Sequence, residues 1–349
     1  MANKANKNDK VYDLIIVGAG PAGLMASIYA SRYRLSNLVI GKALGGELAL
    51  ASKVENCPGF TSIPGFKLAQ KMAKQAERLG GKVLYKEVGR IEQITNSKEQ
   101  KYNSKFKIFI GDKEVYHSRA LVVATGSERR KLNVPGEKEY TGKGVSYCTT
   151  CDAPFYKDKV VALVGGADSA CSGAIHAAEY ARKIYIIYRK DKLRAEPSWV
   201  EDWGKIEASG KGETIYNTNV VQILGKQEFA KPPATSHQSP VQNVVGGVKL
   251  DKPYKDKDVL KVDGVFIEIG GVPGTSLVQP LGVKLDETGH VVVSDDMLTN
   301  VPGLFCAGDM TSKSVVFKQA IWAMAQGARA GASVYRYLKG QEAPQIKGV

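Results

Sequence analysis

Short apolar runs rich in β-branched residues alternate along the chain with glycine turns and helix-like segments. The first run is Val11–Val17, and the turn Gly18–Gly23 follows it at once. A helix-like segment from Leu24 to Arg34 and a second run, Asn37–Ile40, come next. Strand, glycine turn, helix and strand in this order predict the opening of a dinucleotide-binding unit, whose turn offers backbone N–H groups to a pyrophosphate.

The glycines of this first turn have separate predicted tasks. Gly18 permits the tight turn, Gly20 lets the backbone approach a pyrophosphate, and Gly23 lets the helix pack on the strand. The acidic residue that often ends the second strand of such a unit is absent, because residues 40–42 read Ile-Gly-Lys. The fingerprint therefore predicts a phosphate site without the usual ribose ligand.

The same arrangement occurs a second time. The run Lys159–Val164 leads into the turn Gly165–Ala170, a helix-like segment that extends to Arg182, and the strand Lys183–Tyr188. A dehydrogenase with one cofactor needs one such unit, so two units indicate a flavoprotein that receives electrons from a nicotinamide. Ala167 stands where the middle glycine would give phosphates their closest approach.

Cations follow the second strand of this second unit, where an acid would bind a ribose 2′-hydroxyl. They are Arg189, Lys190, Lys192 and Arg194. Their position suits a 2′-phosphate, and a solvated basic turn is the alternative interpretation.

The rest of the chain supplies further strands and one long helix. Ala120–Val123 is predicted as a strand that ends in Ala124-Thr125-Gly126, and Val262–Ile269 and Val301–Phe305 are predicted as strands. Residues 225–258 are rich in Lys, Pro, Ser and Gln, so part of this segment is predicted as a loop between strands. Val315–Leu338 has the small and apolar residues of a buried helix.

Composition and charge narrow the class of protein. The 349 residues are 43% hydrophobic and 24% charged, which predicts about two globular domains. The net charge of +14 is scattered, so we expect no nucleic-acid partner. No apolar run is long enough to span a membrane and the N-terminal segment is polar, which together predict a cytoplasmic protein with no membrane partner.

The cysteines point to redox chemistry. Five cysteines are too few for an extracellular disulfide framework, and Cys57, Cys171 and Cys306 are isolated. Cys148 and Cys151 have C-x-x-C spacing, which suits disulfide exchange or half of a zinc site. The second half is missing and the four histidines are not paired at ligand spacing, so we predict no metal.

Taken in order, these motifs resemble the low-molecular-weight thioredoxin reductases, which are class II pyridine nucleotide-disulfide oxidoreductases. The resemblance extends from about Val11 to Leu338. It rests on the following segments: Gly18–Gly23, Gly45–Leu48, Val54–Gly59, Ala124–Gly126, Cys148–Asp152, the second glycine turn, Gly308-Asp309 and Lys318–Ala320.

The resemblance implies an α/β fold of two Rossmann-like, three-layer ββα domains. An FAD domain would comprise residues 1–132 and 264–349, and an inserted NADPH domain, residues 133–263, would carry the dithiol. It also implies a homodimer and a domain rotation that shows the flavin alternately to the nicotinamide and to the dithiol.

The implied reaction passes electrons from NADPH through FAD to the Cys148–Cys151 disulfide, and from there to thioredoxin or a similar small redox protein. Cys148 would be the outward thiol that exchanges with the substrate, and Cys151 would face the flavin. Asp152 would handle the proton during flavin reoxidation, and a carboxylate of the turn without a catalytic task is the alternative.

The resemblance also assigns cofactor residues. Those implied for FAD are Gly18, Gly20, Pro21, Ala22, Gly23, Gly46, Glu47, Leu48, Asn56, Ala124, Thr125, Gly126, Gly308, Asp309, Lys318, Gln319 and Ala320. Those implied for NADPH are Gly165, Gly166, Ala167, Asp168, Ser169, Arg189, Lys190, Arg194, Ile269 and Gly270.

Several positions depart from the family pattern. Cys57 replaces a frequent aromatic residue, Lys318 an arginine, Ser172 a glutamate and Tyr188 a histidine. Together with Ala167, the last two leave the electron donor open. The alternatives are the same fold and dithiol supplied by ferredoxin or another donor, action on a different disulfide, and a nucleotide-binding protein without turnover.

Overall fold

A computed structural model describes residues 10–51, 53–94, 105–112, 114–229 and 241–340. The helices are α1 Pro21–Arg32, α2 Gly65–Arg78, α3 Glu137–Tyr140, α4 Thr149–Asp152, α5 Asp168–Ala177, α6 Pro197–Ala208 and α7 Ala320–Lys339. The strands are β1 Val11–Val17, β2 Asn37–Ile40, β3 Lys82–Leu84, β4 Arg90–Gln93, β5 Phe106–Ile110, β6 Glu114–Val123, β7 Ser127–Arg129, β8 Val145–Ser146, β9 Val160–Val164, β10 Lys183–Ile187, β11 Gly212–Ile215, β12 Val220–Phe229, β13 Val241–Tyr254, β14 Lys257–Leu260, β15 Gly264–Ile267, β16 Gly271–Pro273 and β17 Leu304–Cys306.

The chain divides into two compact units. Unit 1 comprises residues 1–128 and 272–349, and unit 2 is the continuous segment 129–271. The chain passes between the units at β7 and β16, and these two short strands pair with each other. The boundaries expected from the sequence, 132/133 and 263/264, lie a few residues inside the ends of unit 2.

Unit 1 is built on a seven-stranded sheet. Its order is β3-β2-β1-β6-β5-β4, and β17 pairs with β6. The strands β3, β2, β1, β6 and β17 are parallel, whereas β4 and β5 are antiparallel additions. The parallel strands are apolar on both faces, as Leu14, Ile15 and Ile16 illustrate by being fully buried, because both faces of the sheet lie within the core of unit 1.

Helices α1 and α7 of unit 1 pack together through glycines. A Cβ added to Gly327 would lie 2.0 Å from the carbonyl oxygen of Ala22, and one added to Gly331 would lie 2.8 Å from that of Ala26. Small residues in α7 therefore allow the close approach of the two backbones. The C-terminal helix is thus an integral part of the first glycine-turn unit, about 300 residues away in sequence.

Unit 2 contains a five-stranded parallel sheet in the order β11-β10-β9-β15-β8. An antiparallel meander, β12-β13-β14, packs beside it and shares a hydrophobic cluster with it. The apolar core clusters of unit 2 contain no residue of unit 1, among the residues that the structure describes. Both units are α/β folds of the Rossmann-like kind, as the sequence predicted.

The element boundaries differ from the predicted ones in a few places. Helix α1 begins at Pro21 rather than Leu24, because proline fits the first helical position. Helix α5 ends at Ala177, short of Arg182, and α7 begins at Ala320 rather than Val315. The described residues of 225–258 lie mostly in β12, β13 and β14, and residues 230–240, which include the proline-rich run of the predicted loop, lie outside the described part. No helix in the described ranges is long and apolar enough to cross a membrane.

Candidate functional site

The first glycine turn is shaped by backbone contacts. Gly18 has φ +116°, and a Cβ there would lie 2.2 Å from the carbonyl oxygen of Ala124, at the end of β6. A Cβ on Gly23 would lie 1.9 Å from the carbonyl oxygen of Gly18. By contrast, the nearest atom to a Cβ on Gly20 is the Gly45 oxygen at 3.9 Å. Two glycines are therefore needed for packing, whereas the space at Gly20 is open.

The N-terminal end of α1 follows this open position. Gly20 is its N-cap, no side chain caps the helix, and Pro21 occupies the first turn. The N–H groups of Ala22 and Gly23 are therefore left for an external acceptor. A helix end of this kind favours an anion, because its N–H groups and the helix dipole point the same way.

Segments far apart in sequence surround the first turn. The N–H of Gly45 donates to the Ala19 oxygen at 2.8 Å, and Gly46, Glu47 and Leu48 follow in a short 3₁₀ helix. The amide of Asn56 donates to the Gln319 side-chain oxygen at 3.1 Å. The Thr125 hydroxyl, between Ala124 and Gly126, donates to the Gly274 oxygen at 2.6 Å.

Asp309 adds a largely buried acceptor to unit 1. Burial raises the pKa of its carboxyl above the ordinary value, and the positive charge of Lys318 opposes this shift. Its side chain accepts no hydrogen bond from the residues that the structure describes. The preceding residue, Gly308, is fixed by its N–H bond to the Gln326 side chain at 2.9 Å. Ala320 begins α7 two residues after Lys318.

The second glycine turn uses the same kind of contact. Gly165 has φ +146°, and a Cβ there would lie 2.3 Å from the carbonyl oxygen of Glu268, which follows β15. A Cβ on Gly166 would meet the Tyr188 ring at 2.5 Å, so that ring covers the turn. Ala167 is the N-cap of α5 with φ −113°, an ordinary backbone conformation for alanine.

The loop after β10 is tied back to this second turn. The N–H of Arg194 donates to the Gly166 oxygen at 2.7 Å, and its Nε donates to the Tyr188 hydroxyl at 2.9 Å. The Asp168 carboxylate accepts the N–H of Glu196 at 2.7 Å. The loop after β10 is thereby joined both to the second glycine turn and to the first residue of α5.

The cations of this loop are exposed. Arg189, Lys190 and Arg194 form no ion pair with a carboxylate of the described residues. Ser169 is exposed in the first turn of α5, and Ile269 and Gly270 follow β15, with the Gly270 oxygen accepting the N–H of Arg130 at 3.0 Å. Unit 2 therefore presents positive charge beside its glycine turn.

The cysteine pair lies in a short helix of unit 2. Cys148 and Cys151 form a disulfide, Cys148 is the N-cap of α4, and its sulfur accepts the N–H of Cys151 at 3.2 Å. Asp152 ends α4, and its N–H donates to the Cys148 oxygen at 3.2 Å. The three predicted catalytic residues are thus within one helical turn.

The relative exposure of Cys148 and Cys151 is the reverse of the one that the resemblance implies. Cys151 is exposed and Cys148 is half-buried, whereas the resemblance implies an outward Cys148. The other cysteines, Cys57, Cys171 and Cys306, are buried and unpaired with one another. Burial raises the pKa of each of these three thiols, which makes them poor nucleophiles.

Two features of unit 2 were missed from the sequence. Glu268 lies 94% buried beside α4, and Tyr188 packs on Gly166 while holding Arg194. A glutamate within the apolar run Val262–Ile269 was a visible signal, because buried acids need a partner. No local pattern announces the contact between Tyr188 and Arg194. No group of three potential metal ligands occurs among the described residues.

Two Rossmann-like units and a redox disulfide define a class, the dinucleotide-dependent disulfide oxidoreductases. The sequence pattern of the Pyridine nucleotide-disulphide oxidoreductase family matches residues 12–327. Thioredoxin reductases of Listeria monocytogenes and Bacillus subtilis are 37% and 38% identical to the chain. The alignments cover 95% of this chain in both cases, and 95% and 96% of those proteins.

Solved structures agree with the sequence relatives. The thioredoxin reductase of Lactococcus lactis in the FR conformation has a TM-score of 0.81 at 31% identity, covering 95% of this chain and 100% of that one. That of T. acidophilum has a TM-score of 0.78 at 35% identity, covering 93% and 97%. The chain belongs to the thioredoxin reductase branch of the pyridine nucleotide-disulfide oxidoreductases, a family that implies a flavin cofactor and a nicotinamide substrate.

Proposed function

We propose that the protein is a thioredoxin-disulfide reductase that passes electrons from NADPH through FAD to thioredoxin. The observation that carries the proposal is the Cys148–Cys151 disulfide in the same unit as a glycine turn flanked by unpaired cations. A protein that only binds nucleotide has no need of a disulfide beside Asp152. Membership of the thioredoxin reductase branch supports the choice of substrate.

Unit 1 is assigned to FAD, which supplies the two-electron relay when it is bound. The N–H groups of Ala22 and Gly23 fit a pyrophosphate, and the space beside Gly20 admits one. Asp309 fits the ribityl chain, because a buried carboxylate without a donor gains hydrogen bonds from hydroxyl groups. The remaining predicted FAD residues surround this turn or follow Asp309.

Unit 2 is assigned to NADPH. The uncapped N-terminal end of α5, with Gly165, Gly166 and Ala167 before it, suits the pyrophosphate. Arg189, Lys190 and Arg194 suit the 2′-phosphate that distinguishes NADPH from NADH, since each is exposed and forms no ion pair within the described residues. Asp168 is a positioning residue, because its carboxylate holds the loop through Glu196.

The dithiol exchanges with the substrate in two balanced steps. The thiolate of Cys148 attacks one sulfur of the thioredoxin disulfide, which forms a mixed disulfide and releases the other sulfur as a thiol. Cys151 then attacks Cys148, restoring the Cys148–Cys151 bond and releasing the second thiol. The N–H of Cys151 stabilises a thiolate at Cys148, which favours Cys148 as the nucleophile. Asp152 is the proposed proton carrier beside the pair.

We also propose a cytoplasmic homodimer. NADPH is supplied in the cytoplasm, and the three unpaired cysteines suit a reducing compartment. Val315 and Val316 are 41% and 95% exposed, which is apolar surface of the kind that a second copy covers. Light scattering should give a mass twice the 37.7 kDa of the chain, and a monomer at micromolar concentration contradicts the proposal.

The first experiment identifies the electron donor. The flavin-loaded protein is mixed without oxygen with NADPH, with NADH, or with chemically reduced ferredoxin, and flavin absorbance is followed. We expect NADPH to bleach the flavin within seconds and NADH to do so at least tenfold more slowly. Bleaching by ferredoxin with none by NADPH would favour the alternative donor, which the net charge of +14 would steer towards an acidic protein.

The second experiment tests the dithiol and its polarity. We expect C148S to abolish thioredoxin reduction, and C151S to trap thioredoxin as a mixed disulfide through Cys148. Undiminished turnover in C148S removes the dithiol from the reaction. Trapping by C148S instead of C151S reverses the two assignments, as the greater exposure of Cys151 permits. C171S is the control, because that thiol is buried and unpaired.

A further inference from the structure

A buried acid contacts the helix that carries the dithiol. The Glu268 side chain is 6% exposed, and its Oε1 accepts the Thr149 hydroxyl at 3.0 Å and, more weakly, the Thr149 N–H at 3.4 Å. Thr149 is the first residue of α4 and is covalently next to Cys148. It is 2% exposed and packs on α5, where a Cβ added to Gly173 would lie 3.0 Å from its hydroxyl.

Arg129 completes the arrangement. Its guanidinium donates to Oε2 of Glu268 at 2.6 Å, so each carboxylate oxygen has a different partner. Burial raises the pKa of Glu268, and the charge of Arg129 opposes that shift. The ion pair is itself largely withdrawn from water, since the Arg129 side chain is 23% exposed. A buried acid with these donors is held in one position.

The sheet topology explains why these groups meet. Strands β9, β15 and β8 are neighbours and parallel, so the segments after them lie at one edge of the sheet. The segment after β9 is the second glycine turn, that after β15 begins with Glu268, and that after β8 leads to Cys148 and α4. Glu268 thus lies between the nucleotide turn and the dithiol within unit 2.

We propose that Glu268 is a positioning residue of the dithiol: held by Arg129, it fixes Thr149 and the first turn of α4, and its charge disfavours the thiolate of Cys148. A dithiol whose reduced form is less stable gives up electrons more readily. Glu268 therefore makes the pair a stronger reductant. The inference rests on the proposed function in taking Cys148–Cys151 as the reacting disulfide.

The test of charge uses a chemical probe, so that it does not depend on NADPH or thioredoxin. In a C151S background, the Cys148 thiolate displaces iodide from iodoacetamide, and mass spectrometry counts the S–C adduct. We expect E268Q to raise the alkylation rate at pH 7 by roughly fivefold, because the thiolate loses a neighbouring negative charge. A wild-type rate or a slower one overturns the proposal.

Glu137 provides the matched control. It is a buried glutamate of the same unit, and its carboxylate accepts the N–H groups of Leu132 and Asn133 and the Tyr147 hydroxyl rather than a group of α4. We expect E137Q to alkylate within about twofold of the wild type, whereas an equal acceleration would mean that loosening of unit 2 is the cause. The other titratable groups on α4 and the elements packed against it stay unchanged in both variants: Asp152, Tyr156, Asp168, Cys171 and His176.

A second pair of variants tests the contact without altering a charge. T149V removes the hydroxyl that Glu268 accepts, and T149S keeps it. The disulfide is equilibrated with dithiothreitol, whose two thiols close to a ring disulfide as Cys148 and Cys151 take up two electrons and two protons. We expect T149V to favour the dithiol by roughly threefold, because a looser α4 brings the two sulfurs together less often. T149S should have the same dithiol–disulfide equilibrium as the wild type. Equal equilibria in T149V and T149S overturn the proposal, and this test does not depend on whether E268Q folds.

Discussion

The two glycine turns of the molecule have the same backbone packing but different surroundings. In unit 1, Gly18 packs against the carbonyl oxygen at the end of the neighbouring strand, at Ala124; in unit 2, Gly165 packs against Glu268 in the same way. The added Cβ would lie 2.2 Å and 2.3 Å from those oxygens. A tight turn between adjacent parallel strands therefore imposes the same requirement on both units.

The surroundings of the turns differ. The first turn is open at Gly20 and is enclosed by segments from both ends of the chain. The second is covered by Tyr188 and flanked by exposed cations of one continuous loop. On the proposed assignment, each turn binds a pyrophosphate, and the groups around the turn distinguish a cofactor that stays bound from one that exchanges.

The largest expected effects come from the glycines that the turns share. Gly18→Ala and Gly165→Ala each place a Cβ against a backbone oxygen and force alanine to a positive φ. We expect each to lower the free energy of unfolding by more than about 3 kcal/mol. We expect Gly18→Ala to yield protein without flavin. Gly165→Ala should keep flavin absorbance and lose reduction by NADPH, because the two units have separate cores.

Two other glycines serve as controls for this pair. Gly204 in α6 and Gly89 before β4 have ordinary φ values and no clash for an added Cβ. Alanine at either position should leave flavin content and NADPH reduction unchanged. If Gly165→Ala also lost its flavin, the independence of the two units would be wrong.

The next effect concerns the cations of unit 2. Arg194→Ala should raise the KM for NADPH by roughly tenfold or more and leave that for NADH unchanged, because a 2′-phosphate loses a charged donor. Tyr188→Phe should raise it by roughly threefold, since the hydroxyl that orients the Arg194 Nε is gone while the ring still covers Gly166. Steady-state rates with both nucleotides measure this.

Arg182 is the matched control for these cations. It is exposed and precedes β10, at the opposite end of that strand. Arg182→Ala should change neither KM. A loss of NADPH affinity equal to that of Arg194→Ala would show that net charge, rather than the loop, attracts the nucleotide.

A smaller effect is expected from exchanging the middle residue of each turn. Gly20→Ala places alanine in the middle of the first turn, as Ala167 is in the middle of the second. Gly20 has φ −81°, which alanine adopts without strain. We expect flavin to dissociate several-fold faster and the apoprotein to keep its stability. Ala167→Gly should lower the KM for NADPH by about twofold to threefold. Unchanged flavin release in Gly20→Ala would place the pyrophosphate elsewhere.

The smallest expected effect is a pH-dependent one at Asp309. Because burial raises its pKa in the folded state, the folded chain binds this proton more tightly than the unfolded chain does. The contribution of the protonated carboxyl to the free energy of unfolding is complete at pH values below the unfolded pKa of about 3.9. It is lost as the pH rises through the higher pKa of the folded state. Asp309→Asn should therefore stabilise the flavin-free protein at pH 7 and have little effect near pH 3.

Thermal unfolding of the flavin-free protein at the two pH values provides the measurement. The same variant should bind flavin more weakly, because the amide accepts hydroxyl groups less strongly than a carboxylate. A variant that is less stable at pH 7 would mean that Asp309 has a partner in the folded chain. Asp152→Asn, at the end of α4, is the control for flavin binding.

The sequence was most informative where contacts are local. Strands β1 and β2 begin and end at the predicted residues, because unbroken β-branched runs are flanked by glycine and polar turns. The cysteine spacing and the glycine fingerprint likewise identified the redox pair and both turns. The contact between Asn56 and Gln319 spans 263 residues and leaves no local pattern. Its partners came from the resemblance alone.

Segments with an irregular apolar pattern were harder to predict. Glycines and polar residues interrupt the apolar residues of strands β12 and β13, so their apolar period is weak, and their antiparallel pairing is not visible in the pattern. The start of α7 was placed too early because Val315, Val316 and Phe317 are apolar yet exposed. Hydrophobicity there does not indicate burial within the chain.

The packing of α1 on α7 through Gly327 and Gly331 has a consequence for synthesis of the chain. Unit 2 is continuous, so all of its strands have been synthesised once residues up to 271 are made. Unit 1 still lacks β17 and α7 at that moment, so α1 has no α7 to pack against. Because domains fold as units during synthesis, the inserted unit folds before the one that surrounds it. On the proposed assignment of the flavin to unit 1, flavin binding awaits the last helix of the nascent chain.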